Sequence, residues 1–107
     1  MYRIVITGPA SRDIQEAYDW WAENRSRDQA TRWYLAIHNS IALLQEHPQR
    51  CSLAPEADLQ ASGVRQFLFG TGRRRTHRIV FGIGGNTVVI FRVRHTSQDA
   101  LVFDDLA

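Results

Sequence analysis

The chain contains no lysine, and all thirteen of its basic residues are arginine. A GC-rich genome produces that bias without selection, so the missing lysine alone excludes little. The scarcity of cysteine says more. With Cys51 as the only one, an intrachain disulfide is excluded, and the chain suits a reducing compartment. No apolar run approaches the roughly 18 residues of a membrane span. The opening Tyr2–Ile6 stretch turns polar at Thr7, too soon for a signal-peptide core. The expectation is a soluble cytoplasmic protein. The chain's 107 residues suit one domain, 1–107, with no room for a second. Its apolar fraction of 44%, with three Trp, three Tyr and five Phe, is enough to fold without covalent staples, though a domain this small has little stability to spare.

Acidic residues are missing from one region. Residues 1–63 hold six Arg and eight Asp or Glu, whereas residues 64–98 hold seven Arg and no acid. The tail then carries Asp99, Asp104 and Asp105. A basic half-domain attracts phosphates or an acidic protein segment.

The apolar pattern orders the elements as β-α-α-β-β-β. Tyr2 to Ile6 reads as a short strand. Thr7-Gly8-Pro9 then opens a helix, with Thr or Gly as cap and Pro in the first turn. Ala10, Ile14, Ala17, Tyr18 and Trp21 form its apolar stripe, and it runs to about Asn24. Ser26 or Asp28 caps a second helix, whose stripe is Ala30, Trp33, Tyr34, Ile37, Ile41 and Leu44. Pro48 stops it by His47. The short link makes the two helices an antiparallel hairpin. Residues 48–63 read as a loop. Strands follow at Val64–Phe69, Thr76–Ile83 and Thr87–Arg94, the last two joined by a turn at Gly84-Gly85-Asn86. The fold class is therefore α+β, an antiparallel sheet with an N-terminal helical hairpin on one face. The last hairpin's register has two solutions. A two-residue loop points Arg78 away from Arg92 and Arg94, and a three-residue loop brings all three to one face.

Familiar chemical constellations are missing. Gly70-Thr71-Gly72 lacks the spacing and lysine of a nucleotide loop. His47 and Cys51 flank Pro48 without a second pair, which argues against a metal site. No Ser-His-Asp arrangement can be drawn, and no cofactor is expected. Trp21, Trp33 and Tyr34 read as the seam of the helical hairpin, with Trp20 a partly exposed neighbour. Taken singly, Arg78 or Arg92 reads as a solvated strand residue. Seven arginines with no acid among them shift the reading toward a binding surface.

Several stretches, in order, resemble one family. They are Tyr2-Arg3-Ile4-Val5-Ile6-Thr7 with Ala10 and Asp13-Ile14; Tyr18-Asp19-Trp20-Trp21; His47-Pro48; His77-Arg78-Ile79-Val80-Phe81; and Val88 to His95 followed by Gln98-Asp99. The chain resembles the RelE/ParE toxins of type II toxin–antitoxin systems, over nearly its whole length. The resemblance implies a cognate antitoxin. It also implies one of two targets: DNA gyrase for ParE-like members, or messenger RNA in the ribosomal A site for RelE-like members.

Cutting RNA through its own 2′-OH needs an acid, a base and cations around the phosphate. By the resemblance, Arg65 and Phe67 stand where RelE-like members carry two Lys, and Arg78 stands at their strand Arg. Gln98 falls near a second Arg and Phe103 near a C-terminal Tyr. Three of the five positions lose their chemistry. That balance favours the ParE branch: a gyrase-binding toxin with no catalytic residues, neutralised by a ribbon-helix-helix, ParD-like antitoxin. Its candidate antitoxin- or target-binding residues are Arg65, Arg78, Arg92, Arg94, Trp20 and Phe103, with Arg25 and Arg32 on the outer hairpin. The alternative is a ribosome-dependent endoribonuclease. It would use His95 or His77 for proton transfer and Arg65, Arg78 and Arg94, with Arg92, to clamp phosphate. A third reading is a decayed toxin kept only to bind its antitoxin.

Overall fold

A computed structural model describes residues 1–106. Strand β1 (Arg3–Ile6) leads into helix α1 (Gly8–Asn24) and helix α2 (Arg27–Leu43). After the short helix α3 (Ala57–Ala61) come β2 (Arg65–Phe69), β3 (His77–Gly84) and β4 (Thr87–His95). Single turns of 3-10 helix occupy Pro48–Arg50 and Phe103–Leu106. Residues 48–63 are thus more than the expected loop, since they fold into two short helical pieces. No described helix is long and apolar enough to cross a membrane.

Both long helices start on side-chain caps. The Thr7 hydroxyl accepts the Ala10 N–H at 3.2 Å, and the Ser26 hydroxyl accepts that of Gln29 at 3.1 Å, each satisfying a donor that the first helical turn leaves free. The sheet order is β1-β4-β3-β2. The meander β2-β3-β4 is antiparallel, as its short connections allow, while β1 joins β4 in parallel. That one parallel pair arises because the whole chain between β1 and β4 acts as the crossover.

The hairpin α1–α2 covers one face. Ala10, Ile14, Trp33, Ile37, Ile41 and Leu44 pack on Ile79, Phe81, Val88, Ile90 and Val93. Burial of this set, at about 25 cal/mol per Å² of apolar area, is the main force holding the domain together. The other face has its own smaller core. Ala54, Leu59 and Val64 meet Val80, Leu101 and Leu106, so α3 and the C-terminal segment roof the side that the helical hairpin leaves open.

Neither simple register describes the last hairpin. The loop has two residues, since Gly84 pairs with Thr87, but pairing shifts between Val80 and Phe81. Phe81 faces Ile90 while Val80 faces Arg92, which leaves Phe91 as an inserted residue, a β-bulge. The bulge does what a longer loop would have done: Arg78 pairs directly with Arg94, and Arg78, Arg92 and Arg94 share one face. Gly82 makes this possible. A Cβ there would lie 2.8 Å from Cε2 of Phe91.

Candidate functional site

The arginine face is the one roofed by α3 and the tail. Arg78 is buried, 8% exposed, and donates to Oε1 of Glu56 at 2.9 Å, to its second carboxylate oxygen, and to Oε1 of Gln66 at 3.2 Å. Glu56 immediately precedes α3 and also accepts the Leu101 N–H at 2.9 Å. One carboxylate thus ties the middle of the sheet to both parts of its roof. The Arg78 hydrogen bond holds the Glu56 carboxyl at about 2, well below its ordinary value. Such charge-assisted, two-pronged contacts are strong and directional.

Arg92 sits where β1 has ended and the flank of β4 is open. Its Nε and Nη2 donate to Asp13 of α1 at 2.7 and 2.9 Å, and Asp13 also accepts the Val93 N–H at 3.0 Å. The carboxylate stands in for a missing neighbouring strand. Asp13 in turn raises the Arg92 guanidinium above its ordinary value. Arg92 also donates to the Asp105 carbonyl at 3.1 Å, and Arg94 to that of Asp99 at 3.1 Å. The stretch 64–98 has no acid of its own, yet two of its arginines find carboxylates from distant parts of the chain. Neither Arg78 nor Arg92 is a solvated strand residue.

Arg65 does not join this group. It pairs with Phe81 on the hairpin face and donates to the carbonyls of Gln49 and Cys51 at 3.2 and 2.6 Å, fastening the segment after α2. Cys51 is buried beneath it, and that burial pushes the thiol up. Arg73, Arg74 and Arg75 are exposed on the β2–β3 loop.

His77 and His95 lie on the hairpin face, directly paired across β3 and β4 with ring centroids 5.1 Å apart. His77 is buried against Trp33 and Phe69, at 5.2 and 5.5 Å. Burial first, and His95 second, lowers His77 to about 4, so it is neutral at physiological pH. His95 is exposed, and its Nδ1 accepts the Ser97 N–H at 3.0 Å. Both rings line a cavity of about 460 Å³ beside Trp20, Trp21 and Glu16. Trp20 is half exposed, at 49%, and Arg25 lies over its ring, 5.8 Å from the centroid.

Phe103 lies 54% exposed on the opposite face, at the rim of a groove of about 490 Å³ that Phe91 and Val89 also line. The structure therefore brings Arg78, Arg92 and Arg94 together, and separately His77, His95 and Trp20. It does not join the two sets. Among the described residues no cluster of His, Cys, Asp or Glu is arranged to hold a metal ion. Sequence reading missed Glu56, and it took Asp13 only as part of the first-helix stretch, because no local spacing ties either carboxylate to its arginine. It also missed the bulge, which the lone Gly82 inside a strand marks.

The comparisons with known proteins agree with this architecture. A solved structure, "Chromosomal ParDE TA system from P. aeruginosa", superposes with a TM-score of 0.71 at 21% identity, covering 89% of this chain and 96% of that one. That likeness concerns the fold. No curated protein matches the sequence. The family described as "ParE toxin of type II toxin-antitoxin system, parDE" matches residues 4–100, and the chain belongs to that ParE toxin family.

Proposed function

We propose that this toxin acts by binding DNA gyrase and blocking replication, without chemistry of its own, and that a cognate antitoxin of the ribbon-helix-helix, ParD-like type neutralises it in the cytoplasm. One observation carries the choice against RNA cleavage. The proton-transfer candidates His77 and His95 and the phosphate-clamp candidates Arg78, Arg92 and Arg94 lie on opposite faces of the sheet; the fourth clamp candidate, Arg65, shares the histidines' face but is spent on the carbonyls of Gln49 and Cys51. A cleaving site needs them around one phosphate. Arg78 and Arg92 are moreover committed to Glu56 and Asp13, and the histidine cavity is lined by Asp13 and Glu16, whose charge repels a phosphate. The surface left for partners comprises Trp20 and the outer hairpin, Arg94, and Phe103 with its groove.

The ribosome-dependent endoribonuclease has one observation in its favour, the close pairing of His77 with His95. The two readings separate in a supercoiling assay with purified gyrase. The proposal expects supercoiling to fall as toxin is added, with unchanged inhibition by His95→Ala. Full supercoiling at a large molar excess of folded toxin contradicts it.

A further inference from the structure

The cavity at the end of the helical hairpin differs in charge from its surroundings. Seven arginines crowd residues 64–98, yet none of the chain's arginines lines this cavity among the described residues. Its charged lining is acidic, from Asp13 and Glu16. Arg92 engages Asp13 directly and also feels the charge of Glu16, but neither of the two ion pairs among the described residues uses the Glu16 carboxylate. Its walls are aromatic: Trp20 and Trp21 meet edge to face, with centroids 5.4 Å apart. His77, at the floor, is buried and uncharged.

We infer that this cavity is a socket for one arginine or lysine side chain presented by a partner polypeptide. The aliphatic stem would lie along Ala17, Val93 and the indoles, as long basic side chains do on apolar surface. The charged head would meet the Glu16 carboxylate and the Trp20 ring. The chain already demonstrates the second contact, since Arg25 holds its guanidinium over that same ring. An indole face attracts a cation through its quadrupole. A cavity of about 460 Å³ is the size of a small-ligand pocket and holds one such side chain with room to spare. A polypeptide is the source of choice because the opening carries the half-exposed Trp20, the kind of aromatic rim that anchors protein interfaces. The inference stands independently of gyrase as target.

The test is NMR titration of the intact toxin with three probes: acetyl-arginine amide, its neutral counterpart acetyl-norleucine amide, and spermidine. Acetyl-arginine amide should shift the backbone signals of Glu16, Trp20, His95 and Gln98 at millimolar concentration. Acetyl-norleucine amide should bind at least about threefold more weakly, and Glu16→Gln should cost acetyl-arginine amide about the same factor. Trp20→Ala should cost about fivefold. Both substituted positions lie on the exposed side of α1, and an unchanged spectrum elsewhere verifies the fold. Equal binding of the neutral probe, or no loss in Glu16→Gln, overturns the inference. Spermidine binding more tightly than acetyl-arginine amide also overturns it, because the cavity would then serve free polyamines rather than a polypeptide.

Discussion

On the hairpin side of the sheet, Trp33, Ile37 and Ile41 bury themselves against Ile79, Phe81 and Val93. On the other side, Arg78 meets Glu56 beside a smaller apolar cluster, and Arg92 reaches past the open flank of β4 to Asp13 of α1. The first face is held by area and needs only apolar side chains of the right size. The second is held by directed contacts, in which each carboxylate serves an arginine and a backbone N–H together. A charge pair of this kind adds little over an apolar substitute but is costly to break. The two faces should therefore respond differently to mutation and to pH.

Trp33→Ala should have the largest effect, about 3–5 kcal/mol in urea unfolding, a large part of what a domain of this size has. A loss below about 1 kcal/mol would mean that the hairpin face is not the main core. Arg78→Ala should follow at about 3 kcal/mol, because it leaves Glu56 charged and nearly buried. Arg78→Met with Glu56→Leu should recover much of that loss, and strictly additive penalties would refute the pairing. Recovery will be incomplete, since the Leu101 N–H loses its acceptor.

Acid should dissect the two faces in sequence. His77 is lowered from 6.5 to about 4 in the folded state. The unfolded chain then takes up its proton first, so stability falls as pH drops from about 6.5 toward 4. Glu56 is lowered from 4.5 to about 2. Its contribution is complete above about 4.5 and is lost as pH falls toward 2. Thermal melts between pH 7 and 2.5 should show both windows, and His77→Phe should flatten only the first. One undivided acid transition in both proteins would show that burial at His77 carries no penalty. The smallest effect is at the bulge. Gly82→Ala should cost about 1 kcal/mol, because its Cβ meets the Phe91 ring in a packed strand pair, and Phe91→Val should relieve it.

The same contrast explains what was legible in the sequence. The hairpin face depends on local periodicity, so the stripes of α1 and α2, the Thr7 and Ser26 caps and the Gly84-Gly85-Asn86 turn stood out. The arginine face depends on contacts between residues far apart in the chain. Glu56 lies 22 positions from Arg78, and Asp13 lies 79 from Arg92. No spacing rule joins them, and α3, with five residues, is too short to show a period. The histidines and arginines read as one site in the endoribonuclease alternative because His77 adjoins Arg78 and His95 adjoins Arg94. Alternation along a strand is the reason they point to opposite faces.

That separation underlies the central claim, a toxin that binds rather than cuts. The most direct measurement adds one purified sample to two reactions in parallel, gyrase with relaxed plasmid and a cell-free translation extract with labelled message. The account predicts that supercoiling falls with toxin concentration while the message stays intact. Message cut at A-site codons, with supercoiling unaffected, would contradict it.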